Sequence, residues 1–176
     1  MRDRLRVFTI GHSNRSVAAL REALAAHGAS ALCDVRAYPG SSRHPQFSRD
    51  NLEGEFDHYA WLGKELGGHR KCIRDDSPHT ALTTEGFRNY ADYMETAGFG
   101  AAIDALLERA GPVALMCAER DWGQCHRRFI ADYLHGVRGV EVVHIVDARE
   151  SERHSLHKRG RVVGERVLYA APPTLF

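Results

Sequence analysis

Short apolar runs alternate with amphipathic stretches along this chain, and the alternation predicts its elements. Val7-Phe8-Thr9-Ile10 reads as a first strand, with Gly11 to Arg15 as the turn that leaves it. Ser16 suits the N-cap of a helix that carries Val17, Leu20 and Leu24 on one face and stops at Gly28. Ala31 to Val35 is the second strand, so strand, helix and strand follow one another with short joints, as in a parallel βαβ unit. Between Tyr38 and Asp50, Pro39, Gly40, Ser41, Ser42 and Pro45 exclude a regular element. A connection this long is either a functional lid or an ordinary surface loop.

Beyond it, a helix is expected over residues 51–66, ended by Gly67-Gly68, followed by irregular chain over 69–80. Helices are expected again over 85–97 and 101–109, the second with Ile103, Leu106 and Leu107 on one face. Gly111-Pro112 precedes the cleanest strand, Val113 to Cys117. A turn from Ala118 to Gln124 leads to a helix over 125–135, buried through Phe129, Ile130, Tyr133 and Leu134. Val142 to Val146 is apolar enough for the interior of a parallel sheet. Residues 149–161 are polar, and 161–170 suggest a strand or hairpin. No internal repeat or low-complexity tract occurs. The pattern predicts a single α/β domain with a doubly wound, mostly parallel sheet flanked by helices. Residues 1–148 form the core, and 149–176 are a polar, basic tract and C-terminal extension of the same domain.

Composition narrows the class without naming a reaction. The chain of 176 residues is 43% hydrophobic and 27% charged, which allows a real core and excludes a disordered chain. A formal net charge of +1 excludes a protein whose whole surface coats a polyanion. Only Lys64, Lys71 and Lys158 are lysines, so 21 of the 24 basic residues are arginine. That bias is compatible with anionic ligands and equally with a GC-rich genome, so each arginine has to be argued by position. Cys33, Cys72, Cys117 and Cys125 are too few and too scattered for a disulfide framework. The charged N-terminus lacks a leader's apolar stretch, and no window approaches the roughly 18 apolar residues of a membrane helix. A cytoplasmic protein with no membrane partner is expected.

Parallel strands point their carboxyl ends the same way, and open α/β sheets bind ligands along that edge. Gly11, His12, Ser13 and Asn14 follow the first strand, Asp34 and Arg36 end the second, and Cys117 and Glu119 end the third. The fourth contains His144 and leads to Asp147. A helix beginning near Cys125 would favour an anion through its free N–H groups, with Arg127 adding a bidentate contact and the thiol held as thiolate. Cys117 reads equally as a small buried hydrophobe. Cysteine-dependent phosphatases need Arg six positions after the nucleophile, whereas Gly123 and Ala131 stand six after Cys117 and Cys125. The short rhodanese-like loop is missing too. Structural zinc prefers close Cys pairs, and Cys117 and Cys125 are eight apart. On a helix, Cys125 and His126 would point about 100° apart, so no metal ligand is assigned.

The second strand and its loop supply Asp34, Arg36, Ser41, Arg43, His44 and Phe47. Asp34 either orients a ligand or locks the loop by a salt bridge, while Arg36 and Arg43 are the better ligand contacts. His12 is a candidate acid/base and Ser13 a hydroxyl beside it. Tyr59 and Trp61 could stack on a base, although packing is their default role. The 149–161 tract carries five basic and two acidic residues plus His154 and His157, a set that could touch phosphates or simply be solvated.

Taken together, Thr9-Ile10-Gly11-His12-Ser13, Asp34-Val35-Arg36 with Pro39 and Ser41, Tyr59 to Gly68 as Y-x-x-L-G-x-x-L-G-G, and Leu115 to Glu119 followed by Cys125-His126-Arg127 resemble the domain of unknown function 488 family. The resemblance runs from about Thr9 to Val146. It implies a bacterial-type cytosolic α/β domain without a settled activity. It also marks His12, Ser13, Asp34, Arg36, Ser41, Tyr59, Gly67, Gly68, Cys117, Glu119, Cys125, His126 and Arg127 as a set.

The expected function is an enzyme acting on an anionic, phosphate-bearing ligand such as a nucleotide or nucleic-acid end. Arg36, Arg43 and Arg127 would hold the anion, with Ser13, Asp34, Ser41, Tyr59 and His126 lining the site. His12 and Glu119 would move protons, and Cys117 or Cys125 would be a nucleophile or redox group. The alternatives are a non-catalytic nucleic-acid-binding or regulatory module, with Phe47, Tyr59 and Trp122 as its aromatics, and a metal or thiol redox site. No cofactor is specified.

Overall fold

The computed structural model describes residues 5–40 and 42–171. Its main sheet has six strands in the order β3-β2-β4-β1-β5-β6. They are β1 (Arg6–Gly11), β2 (Ala31–Asp34), β3 (Tyr59–Trp61), β4 (Val113–Cys117), β5 (Glu141–Ile145) and β6 (Ser151–Arg153). The first five run parallel and β6 is antiparallel at the edge. The doubly wound α/β architecture is therefore the one the hydrophobic pattern predicts.

Both faces are covered, which is why the central strands are apolar at nearly every position. Phe8, Ile10, Leu32, Ala114, Met116, Val143 and Ile145 face Leu20 and Leu24 of α1 (Val17–Ala26), together with Phe47 of the 3-10 turn Pro45–Phe47 and Leu52 of α2 (Arg49–Glu55). The alternate set, Val7, Cys33, Val113, Leu115, Cys117 and Val142, packs on the opposite side. There it meets α3 (Gly63–Leu66), α4 (Glu85–Met94), α5 (Ala97–Leu107) and α6 (Arg127–Gly136). Ser16 caps α1 through its Oγ, as expected, and Thr96 does the same for α5.

Three local expectations change. The helix expected over 51–66 is divided into α2, the edge strand β3 and the single turn α3. The alternating aromatics Tyr59 and Trp61 pair in register with Leu32 and Asp34 instead of continuing the helix. The helix expected from Cys125 starts at Arg127, because Cys125 is extended (φ −122°, ψ 152°) after a 3-10 turn over Trp122–Gln124. The 149–161 tract contains β6, and the hairpin expected beyond it is β7 (Gly160–Val163) with β8 (Arg166–Tyr169). Its Val167 and Tyr169 are buried in the α4–α6 side of the core.

Adjacent strands β2, β4 and β1 hold their carboxyl ends together, and the chain leaving them continues the contact. His12 N–H donates to Cys117 O (2.9 Å), Ser13 N–H to Ala118 O (2.9 Å) and Val35 N–H to Met116 O (2.9 Å). Gly11 has to be glycine, since a Cβ there would lie 1.9 Å from the Glu119 carbonyl oxygen. The segment after β4 thus rests directly on the end of β1.

Candidate functional site

A cleft of about 900 Å³ opens at this edge. His12, Ser13 and Asn14 line it from β1, Arg36 from β2, Arg43 and His44 from the long loop, and Ala118, Glu119, Arg120 and Asp121 from the segment after β4. The strand-end reasoning therefore brings His12, Ser13, Arg36, Arg43 and Glu119 together. Arg120 also lines the cleft and was not expected there, although its place beside Glu119 was the available signal. Ser41 lies outside the described residues.

His12 is buried against Phe47, the two rings stacked at 4.3 Å. Its Nδ1–H donates to the Ser13 carbonyl (2.9 Å), which leaves the Nε2 lone pair facing Arg36 Nη1 at 3.2 Å. Burial, with Arg36 adding to it, lowers the His12 pKa to about 4, so the ring is neutral at pH 7. Ser13 adopts φ +47°, the one non-glycine residue with positive φ among those described, and so reverses the chain at the cleft wall.

Arg36 is fixed from three directions. Its Nε and Nη2 donate to Asp34 Oδ1 (2.9 Å) and Oδ2 (2.5 Å), Nη2 also donates to Phe47 O (2.7 Å), and Nη1 donates to His12. Asp34 accepts in addition from the Arg36 backbone N–H (3.1 Å) and from the Tyr59 hydroxyl (2.7 Å). Burial and the neighbouring Asp34 charge push the Tyr59 pKa up. Asp34 and Tyr59, expected to contact ligand, stand behind Arg36 and orient it, since Asp34 is buried and neither residue lines the cleft.

Arg127, expected to grip the anion, is buried with its guanidinium already engaged. Its Nε and backbone N–H approach Cys125 Sγ at 3.4 and 3.5 Å, Nη1 donates to Thr9 Oγ1 (3.3 Å), and Nη2 donates to the Glu119 carbonyl. No carboxylate pairs with it among the described residues. Cys117, Cys125 and His126 are likewise buried and do not line the cleft. His126 Nε2–H donates to Val35 O (3.0 Å), which turns the Nδ1 lone pair toward Cys125 Sγ (3.6 Å) and Cys117 Sγ (3.9 Å). The imidazole lies between Tyr90 and Gly68, where a Cβ would come within 2.7 Å of Nδ1.

The Cys125 thiol is held well below the usual thiol range by Cys117, by His126 and by the Arg127 cation. Cys117 is pushed up, by its hydrogen bond with Cys125 and then by burial. The 100° divergence expected of Cys125 and His126 does not arise, because Cys125 precedes the helix in extended conformation.

Behind Arg127 runs a buried chain whose later members carried no weight in the sequence. Thr9 Oγ1 meets His144 Nδ1 (2.7 Å), His144 Nε2 meets His154 Nδ1 (2.9 Å), and His154 Nε2 meets Asp132 Oδ1 (2.8 Å). Tyr169 O–H donates to Asp132 Oδ2 (2.7 Å). Burial lowers the His144 pKa to about 2, and Trp122 stacks on its ring at 4.0 Å. The Asp132 carboxylate accepts, so His154 Nε2–H donates to it, as Tyr169 O–H does. The available signal was His144 itself, a polar ring in an apolar strand that needs a buried partner.

The model for a family described as Domain of unknown function DUF488 matches residues 16–134. No curated protein and no solved structure matches the chain. Among the described residues, no helix is long and apolar enough to cross a membrane.

Proposed function

Because the chain belongs to the DUF488 family, whose description assigns no chemistry, its function has to rest on the site itself, and we propose that it is an enzyme acting on an anionic, phosphate-bearing ligand in the cleft. A nucleotide or a nucleic-acid end is the ligand class. The observation that carries the reading is the pairing of an oriented guanidinium, Arg36, with the unprotonated Nε2 of His12 on the cleft wall. Arg43 and Arg120 add cationic groups from two different segments, so a phosphate between them meets charge from more than one side. Arg127 is not in this clamp.

His12 serves as the proton acceptor. Free of ligand, it is held neutral by burial and by Arg36. A ligand anion placed beside the His12 ring adds negative charge that favours the protonated imidazole, so His12 becomes a better base with the ligand in place. Glu119, on the same wall, is the second proton-transfer group. Cys117 and Cys125 lie behind the wall and take no part in this step.

The test is titration of the protein with 5′-AMP and with a 5′-phosphorylated oligonucleotide, followed by calorimetry for binding and by ³¹P NMR for turnover. Arg43→Ala and Arg120→Ala should each weaken binding by about 10-fold, from the loss of a charge-assisted contact. His12→Gln should bind but not convert. Failure of both ligands to bind, or binding indifferent to both arginines, refutes the assignment. Binding with no conversion would favour a nucleic-acid-binding module.

A further inference from the structure

From the arrangement behind the cleft wall we infer that Cys117, Cys125 and His126 form a binding site for one thiophilic d10 metal ion, Cu(I) or Zn(II). The inference is independent of what the cleft binds. The three ligand atoms lie within 4.8 Å of one another and all three residues are buried. The two sulfur-to-Nδ1 separations, 3.6 and 3.9 Å, are close to the roughly 3.6 Å edge set by Zn–S bonds of about 2.3 Å and a Zn–N bond of about 2.0 Å at the tetrahedral angle. An ion can therefore be seated with little movement of the ligands.

Two further features suit a metal ligand set better than ordinary packing. His126 donates Nε2–H to a backbone carbonyl, which fixes the tautomer with Nδ1 bare and aimed at both sulfurs. Cys125 Sγ receives two N–H groups from Arg127, as an anionic sulfur requires. The charges also balance. Arg127 contributes one positive charge and two thiolates contribute two negative ones, so a monovalent cation leaves the buried group neutral. A divalent cation leaves it neutral only with a hydroxide as fourth ligand. Two thiolates and an imidazole select soft cations over magnesium or calcium. Binding displaces to solvent the protons that the two thiols carry and changes no oxidation state.

The experiment uses the full chain, reduced and under anaerobic conditions. Cu(I) is titrated against bicinchoninate and Zn(II) against a pyridylazo-resorcinol indicator. One equivalent of at least one ion should bind, and Cys117→Ser, Cys125→Ser and His126→Gln should each weaken binding by about 100-fold or more, whereas Cys72→Ser should leave it unchanged. X-ray absorption on the loaded wild-type protein keeps the test independent of whether the variants fold. It should show two sulfur neighbours near 2.3 Å and one nitrogen near 2.0 Å, with an added oxygen in the zinc form only. No binding of either ion, binding that Cys72→Ser removes, or a shell without sulfur overturns the inference.

Discussion

Two buried arginines on opposite sides of the same sheet edge solve one electrostatic problem in different ways. Arg36 is 6% exposed and meets the Asp34 carboxylate directly, through two charge-assisted hydrogen bonds on the α1–α2 side. Arg127 is 1% exposed on the α6 side and reaches a carboxylate, Asp132, only through Thr9, His144 and His154. Arg36 is therefore neutralised where it stands and presents a fixed fork to the cleft. The charge of Arg127 stays available to the nearest group able to become an anion, the Cys125 sulfur. Direct pairing makes a rigid clamp, whereas relayed pairing leaves a cation facing sulfur.

Removing the direct partner should have the largest effect. Asp34→Asn leaves the Arg36 charge buried without compensation, and the unfolding free energy measured in urea should fall by about 3–5 kcal/mol. If Asp34→Asn were as stable as wild type, Arg36 would have to be solvated and the contrast with Arg127 would vanish.

Breaking the relay is the milder intervention. Thr9→Val keeps the shape of the side chain but leaves His144 Nδ1 and one Arg127 N–H unpaired, for a loss of about 1–3 kcal/mol. A thiolate on Cys125, expected from its lowered pKa, should survive this change, since both N–H donors of Arg127 still face the sulfur. Its absorbance near 240 nm at pH 7 should persist in Thr9→Val and disappear in Cys125→Ser. Loss of that band in both variants would mean that the relay, not the contact, sets the charge on sulfur.

A subtler distinction lies in the pH profile. His12 titrates at about 4 in the folded protein, below its ordinary 6.5, so the unfolded chain binds the proton more readily. Stability contributed by neutral His12 is thus complete above about pH 6.5 and declines as pH falls toward 4. His144 acts in the same direction. In His12→Gln the slope of stability against pH across this window should be shallower than in wild type, and an NMR titration of wild-type His12 should show a midpoint near 4. A midpoint near 6.5 would separate His12 from Arg36 and remove the base from the cleft.

Much of this architecture was legible in the residues. The short, near-continuous apolar runs and their glycine and proline stops located β1, β2, β4 and β5, and with them the edge where His12, Arg36 and Glu119 meet. What stayed hidden depended on which way a polar side chain turns. Arg127 follows a strand end and reads as a ligand contact, yet its first-turn position faces the sheet. Cys125 and His126 converge because of one extended residue, which no spacing rule encodes. His154 sits in a charge-rich tract that reads as solvated, and only the antiparallel pairing of β6 with β5 brings its ring to His144. The three-residue strand β3 was lost inside a helical pattern because so short an edge has too few positions to show alternation.

The wall carrying Glu119 and Arg120 is the stretch of chain between Cys117 and Cys125, with Gly11 pressed beneath it. It resembles a handle bolted at both feet, each foot a sulfur atom. Both feet are buried, and the span between them lies so close upon the glycine below that no side chain fits underneath.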